Sequence, residues 1–292
     1  MSTTQHATFL GVGEMGSALA HSALTAGYRV TVWNRSAAKT TPLVEAGAHG
    51  AATVTEAIDA AEASAPLIVC LFDHASVHEV LDPVADRLAG RRVINLTTTS
   101  PDGARELGRW ATEHGATYLD GGIMATPDMI GGAGSHVLYS GTARLFEEHR
   151  PLLEIWGTPE YLGEDAGIAA LYDLALLAGM YVMFAGFFHG AAMVTTQGVP
   201  AKEFAVRAAD WLRAMAPAVT GYAEIIDGGD YSVPGQQSLE FSDISDIIDA
   251  TRAQGVSTEL VDVVQRLIHR QIDAGHGSDG FARVIESLRR AA

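Results

Sequence analysis

The run Gly11-Val12-Gly13-Glu14-Met15-Gly16 constrains the fold more than any other feature of the chain. An apolar, strand-like segment, His6–Leu10, precedes it and a helical one, Ser17–Leu24, follows. Glycines at this spacing between a strand and a helix serve three needs: a tight turn, approach of a pyrophosphate to bare backbone, and close packing of helix on strand. The unpaired N–H groups and the dipole at the helix start favour the phosphate charge. The loop therefore predicts a dinucleotide site, with Gly11, Gly13, Glu14, Met15 and Gly16 as candidate cofactor contacts.

The alternation continues beyond it. Strand-like runs recur at Arg29–Trp33, Pro66–Phe72, Arg92–Leu96, Thr117–Leu119 and His136–Tyr139, and stretches rich in Ala, Leu and Glu separate the first four strands. That order predicts right-handed βαβ units and a parallel sheet, with the later strands as a mixed edge. After Glu164 no convincing strand occurs. A long apolar run is followed by helical patterns at Lys202–Val219, Gln236–Gln254, Ser257–Ala274 and Asp279–Arg290, broken by glycines near 227–230 and 275–277. Ser257 and Ser278 are expected N-caps. The fold expected is an α/β Rossmann domain over residues 1–164 and an all-α domain over 165–292, entered through a long interdomain helix.

Charge narrows the partners. Nineteen Lys+Arg against 35 Asp+Glu give a net charge of −16, which argues against a nucleic-acid surface, since that needs clustered positive charge. The single cysteine, Cys70, excludes an intrachain disulfide and fits a reducing cytoplasm. The first basic residue is Arg29, so no positive n-region of a signal peptide is expected. Between Ala166 and Val194 only Asp173 and His189 can carry charge, and the length resembles a membrane span. Yet no Lys or Arg lies between Arg150 and Lys202 to flank it, and an Asp near mid-span is costly. The expectation is a buried helix of a soluble protein, with Gly186-x3-Gly190 marking close helix packing. A helix apolar all round must be covered on all sides, and the helices that follow are few for the task. A second chain is expected to share in it.

The second strand ends in Trp33-Asn34-Arg35-Ser36, with Lys39 just beyond. A site for NAD usually places Asp or Glu here on the ribose 2′-hydroxyl, and that carboxylate would repel a 2′-phosphate. Neutral Asn34, followed by Arg35, Ser36 and Lys39, supplies charge and hydrogen bonds instead. NADP(H) is the cofactor expected. Asn95, at the carboxyl end of a strand, either contacts the nicotinamide ribose or substrate, or shapes a turn. Asp173 is either a proton donor with a pKa raised by burial or a satisfied acid at a helix start. Tyr181 lies eight residues on, ~80° around a helix and ~12 Å along it; it borders the same cleft or packs. Trp211 and Met215, four apart, read as packing neighbours. His74-x3-His78 beside Asp73 has the spacing of a metal pair, but no third ligand stands at a convincing distance in sequence, and no metal is expected.

Several of these stretches together resemble the imine reductases, relatives of the β-hydroxyacid dehydrogenases, nearly end to end. The resemblance rests on Gly11–Gly16, on Val32-Trp33-Asn34-Arg35-Ser36 with Lys39, and on Asn95-Leu96-Thr97. It continues in Asp120-Gly121-Gly122-Ile123-Met124-Ala125 and in Leu171-Tyr172-Asp173-Leu174-Ala175-Leu176-Leu177. Leu171 occupies or adjoins the place of the catalytic Lys of the hydroxyacid dehydrogenases, and their Ser-Gly-Gly is replaced around Asp120–Ile123. The resemblance implies NADPH-dependent reduction of imines or iminium ions to amines, and reductive amination in the branch that is most similar. It implies catalytic roles for Asn95, Asp173 and Tyr181, a cofactor contact at Thr97, and a pocket lined by Met124, Trp211 and Met215. It further implies a C-terminal domain like that of 6-phosphogluconate dehydrogenase and a domain-swapped homodimer whose partner completes the pocket. The alternatives are a β-hydroxyacid dehydrogenase with an altered catalytic group and a non-catalytic NADP(H)-binding sensor.

Overall fold

The computed structural model describes residues 5–289, in two compact units that divide after residue 178. In the first unit eight strands form one sheet: β1 His6–Leu10, β2 Arg29–Trp33, β3 His49–Gly50, β4 Pro66–Val69, β5 Arg92–Asn95, β6 Thr117–Met124, β7 His136–Gly141 and β8 Thr158–Tyr161. Their spatial order is β3-β2-β1-β4-β5-β6-β7-β8. All pairs are parallel except β6 with β7. The mixed edge is thus as the sequence suggested. Two edge strands had no sequence signal. β3 is two exposed residues, and β8 contains Pro159, which an edge strand tolerates because it lacks only an outward donor.

β1 and β4 are buried at every position, as central parallel strands covered on both faces must be. The covering helices are α1 Glu14–Thr25, α2 Thr41–Glu45, α3 Val54–Asp59, α4 His74–Leu81, α5 Pro101–Glu113 and α6 Ala143–Trp156. Phe9, Leu19, Ala23, Phe146 and Trp156 belong to the core on one face. Ile58, Leu67, Val77, Leu81 and Leu107 belong to the core on the other. Trp156 ties α6 to α1, its indole N–H donating to the Leu19 carbonyl at 3.1 Å.

α7 runs from Gly167 to Thr195, and three contacts hold its start. A Cβ on Gly167 would lie 2.7 Å from the Pro101 carbonyl oxygen, so only glycine lets the helix begin there. Arg105 grips Asp165 with two bonds of 2.9 Å, and Asp165 accepts the Gly167 N–H. The Ser140 hydroxyl, from β7, accepts the Ala169 N–H and donates to the Ala166 carbonyl, both at 2.9 Å. Gly167, Ala169, Ala170 and Asp173 are buried. Farther along, the expected burial is not found: only 17% of the most apolar stretch of α7 is covered within this chain. By length and mean hydropathy, 1.8, the helix could cross a membrane.

In the second unit, α8 Ala201–Met215, α9 Ala218–Gly228, α10 Ser245–Ala253, α11 Glu259–Gln271 and α12 Ile285–Leu288 follow. Among its described residues the only β pairing is the bridge Ser238–Gly280. Phe187 of α7 stacks on Phe204 of α8 at 5.8 Å. A Cβ on Gly190 would stand 2.8 Å from that Phe204 ring, whereas one on Gly186 would meet nothing, so one glycine of the pair serves packing. The helix expected from Gln236 begins only at Ser245; before it the chain turns, with Ser238 accepting the Phe241 N–H. Neither expected cap is found: Thr258 stands at the N-cap of α11 with no side-chain cap, Ser257 before it accepting the Glu259 N–H, and the turn after Ser278 begins only after Gly280. Position 290, the expected end of the last helix, lies outside the described residues.

Candidate active site

From β1 the chain builds the sheet outward through β2 and β3, then returns to place β4 on the other side of β1. Ligands of open α/β sheets bind at the carboxyl ends of strands where the order reverses in this way. A cavity of about 460 Å³ opens there. Gly11 has φ +98°, and a Cβ on it would collide with the Cys70 carbonyl oxygen; one on Gly16 would collide with the Gly11 carbonyl oxygen. A Cβ on Gly13 would meet no atom within 4 Å, because Gly13 lines the cavity. The first-turn N–H groups of Glu14, Met15 and Gly16 have no intrahelical acceptor, and no side chain caps the helix. Together they form an anion cradle of the size and polarity that a pyrophosphate needs. The Glu14 side chain is exposed and that of Met15 packs on the core, so both serve through backbone.

Asn34 lines the cavity and also braces the loop. Its Oδ1 accepts the Val12 N–H at 3.1 Å and its Nδ2 donates to the Ser36 carbonyl at 3.0 Å. The amide braces the glycine loop against the end of β2. An Asp could accept the first bond but not donate the second. Arg35, Ser36 and Lys39 line the cavity beyond it. Arg35 lies 3.5 Å from Glu79, an exposed pair worth ~0–1 kcal/mol and readily exchanged for a phosphate. Thr97 is buried and does not line the cavity; its hydroxyl accepts the N–H of Leu71, which does, at 3.0 Å. Burial pushes the Cys70 thiol up to about 11, so it stays neutral. Phe72, 90% exposed, leaves a bare aromatic face on the rim. The residues present fit a phosphorylated dinucleotide: a bare-backbone cradle, and two cations where an NAD site carries an acid.

A second polar group lies under the start of α7. Asn95 of β5, Asp120 of β6 and Ser140 of β7 are cross-strand neighbours and all are buried. Asp120 Oδ1 accepts from Asn95 Nδ2 at 3.1 Å and from the Tyr118 hydroxyl at 2.7 Å. Asn95 Oδ1 accepts the Thr97 N–H. Along β6, alternate residues share a face, so Tyr118, Asp120, Gly122 and Met124 line one side. A Cβ on Gly122 would lie 2.7 Å from the Asp173 Cβ. That glycine lets α7 settle on the strand and puts Asp173, 4% exposed, beside the row. Burial raises the Asp173 pKa, against a hydrogen bond with Thr98. Burial also pushes Asp120 up to about 7, against the bonds from Tyr118 and Asn95, and the Asp173 charge adds to the rise.

Asn95 and Asp173 are therefore linked through Asp120 of β6, an unforeseen third member that bonds the first and feels the charge of the second. Its signal lies in the alternation of β6: continued past Leu119, the strand puts Tyr118, Asp120 and Gly122 on one face. Met124 ends β6, half-buried. Tyr181 on α7 and Trp211 on α8 are 67% and 64% exposed, and Met215 is exposed too.

Residues 165–290 match the C-terminal domain of NADPH-dependent reductive aminase-like proteins, and residues 6–166 match the NAD binding domain of 6-phosphogluconate dehydrogenase. The NADPH-dependent reductive aminase of Aspergillus oryzae is 38% identical over 98% of each chain. The reductive aminase of Aspergillus terreus, solved with NADPH and ethyl levulinate, is 43% identical, with a TM-score of 0.92 over 98% of this chain and 100% of that one. An imine reductase of Streptomyces aurantiacus is 31% identical, with a TM-score of 0.91 over the same shares.

Asp120 gives this site a pH signature. Its carboxyl holds a proton more tightly folded, at about 7, than unfolded, at the ordinary 3.8. The stability it confers is complete below the unfolded value and is lost as pH rises towards 7. Between pH 5 and 8 the wild type should lose ~3 kcal/mol relative to Asp120→Asn, which keeps the acceptor oxygen. Paired denaturant melts across that range read the difference; parallel curves would assign the titration elsewhere.

Proposed function

The chain belongs to the family of NADPH-dependent reductive aminases and imine reductases, and from that premise we propose how its own residues reduce a C=N bond to an amine. The observation that carries the reading is Asp173: a buried acid on an otherwise apolar helix, seated on Gly122 beside the Asn95–Asp120–Tyr118 row. A hydroxyacid needs a cation for its carboxylate and a base for its alcohol. The start of α7 supplies no cation for that carboxylate: Leu171 and the acid Asp173 stand there.

When bound, NADPH supplies the hydride. The loop Gly11–Gly16 neutralises the pyrophosphate through backbone N–H groups, and Arg35, Ser36 and Lys39 take the 2′-phosphate. The Asp173 carboxylate favours a protonated substrate nitrogen, which makes the neighbouring carbon electrophilic. Two carboxyl groups in so dry a row do not both ionise readily. Asp120 therefore holds a proton near neutral pH and keeps Asn95 oriented through their shared hydrogen bond. Asn95 acts here as a positioning residue beneath the site.

The exposed apolar length of α7, with Leu176, Val182 and Phe188, and of α8, with Val206 and Trp211, is covered in our reading by a second copy. A domain-swapped homodimer would place the partner's helices over Tyr181, Trp211 and Met215 and complete the substrate pocket. Residues 1–164 then serve as the cofactor domain and 165–292 as interdomain helix and dimerisation domain, in a soluble, cytoplasmic enzyme.

Three outcomes follow. NADPH consumption with cyclic imines of the 1-pyrroline type should exceed turnover of short hydroxyacids, and Asp173→Ala should lower kcat at least ~10²-fold; a preference for hydroxyacid oxidation would overturn the reading. Arg35→Asp with Lys39→Ala should raise KM for NADPH ~10-fold or more while sparing NADH; equal losses would free these side chains of the 2′-phosphate. Sedimentation equilibrium should give twice the 30.8 kDa chain mass; a monomer at micromolar concentration would exclude the shared pocket.

A further inference from the structure

α4 and α5 bring together three side chains that the cofactor and substrate sites do not use. His74 and His78 stand four residues apart on α4, and Glu106 reaches them from α5. His78 Nε2 lies 3.0 Å and His74 Nε2 3.4 Å from the same Glu106 Oε2. One ligand atom of each residue lies within 4.8 Å of the others. Ligand atoms held ~2.0–2.1 Å from a tetrahedral zinc ion stand about 3.3 Å apart. The two separations to Glu106 thus already approximate edges of that tetrahedron.

The opposite side of each ring carries the second argument. His78 Nδ1 is bonded to Asp82 Oδ1 at 3.0 Å, and His74 Nδ1 to the Thr99 hydroxyl at 3.1 Å. Metal-bound histidines hold their far nitrogen in this way, which fixes the tautomer and turns the Nε2 lone pair forward. A Cβ on Gly103 would press to 2.9 Å from His74 Nδ1, so a glycine leaves room for that arrangement.

We propose that His74, His78 and Glu106 form a zinc site in which three protein ligands leave the fourth position to water. Two imidazoles and one carboxylate suit zinc, whereas calcium and magnesium want mostly oxygen ligands. The ion would clamp α4 to α5. α4 also carries Ser76, Glu79 and Val80 of the cofactor cavity wall, so the clamp steadies that wall from behind. The rival arrangement is an ion-pair network in which a protonated His78 bridges Asp82 and Glu106 without any metal.

The test uses the full-length protein, stripped by a chelator and titrated with zinc chloride against a chromophoric competitor, with melting curves at each step. We expect one competing site per chain, a Tm that rises with zinc, and visible four-coordinate absorption when cobalt(II) replaces zinc. His78→Ala and Glu106→Gln should each weaken zinc ~10-fold or more and abolish both the Tm rise and the cobalt spectrum. His21→Ala, on exposed α1 surface, should change none of these. Glu106→Gln keeps the size of the side chain, so it decides the matter should a histidine variant fail to fold. Affinity unchanged within about twofold in Glu106→Gln, or no competition by the wild type, would leave the ion-pair network and overturn the proposal.

Discussion

The close approach of α7 to β6 is the contact on which the rest of the site depends. At Gly122 the strand has no side chain, and Asp173 occupies the space that one would fill. Gly167 lets the helix start against α5, and Ser140 and Asp165 hold its first N–H groups. Because these contacts are steric and short, the position of Asp173 follows from the sheet and not from the helix's own preferences. A buried carboxyl held in this way has a raised pKa, and its neighbour Asp120 shares the effect. Packing at two glycines thereby becomes a statement about proton affinity.

The cofactor end shows the same economy of side chains. The loop that accepts phosphate is built from absences: no Cβ at Gly13, no side-chain cap on α1, no carboxylate after β2. Asn34 is the positive element. It pairs with a backbone donor on one side and a backbone acceptor on the other, which an acid could not do. The fold of the loop therefore rests on one amide, and Arg35 and Lys39 line the cavity beyond it.

α7 changes character along its length. Its first turns are buried on the sheet and hold the acid, while its later turns present Tyr181, Val182 and Phe188 to the surface. The apolar pattern predicts a buried helix, yet only 17% of its most apolar stretch is covered within this chain. An apolar surface so extended on one chain is typical of an obligate interface.

The sequence by itself determined the Rossmann architecture, the position of the glycine loop and the sign of charge after β2. The last two are local: a strand, a turn, a helix start and the cations that follow β2, all before the third strand. It also marked Asp173 as anomalous, since a lone acid in an apolar helix stands out in any alignment of polarity. Only the tertiary structure decided that Asp120 joins Asn95 and Asp173, and that Glu106 meets His74 and His78. Those groups come from separate strands and helices, and cross-strand register and helix-to-helix approach have no counterpart in the spacing of residues along the chain. The same holds for Asn34 and Thr97. Their residue types suited a ligand, but what they bond was settled by the loops that folded around them.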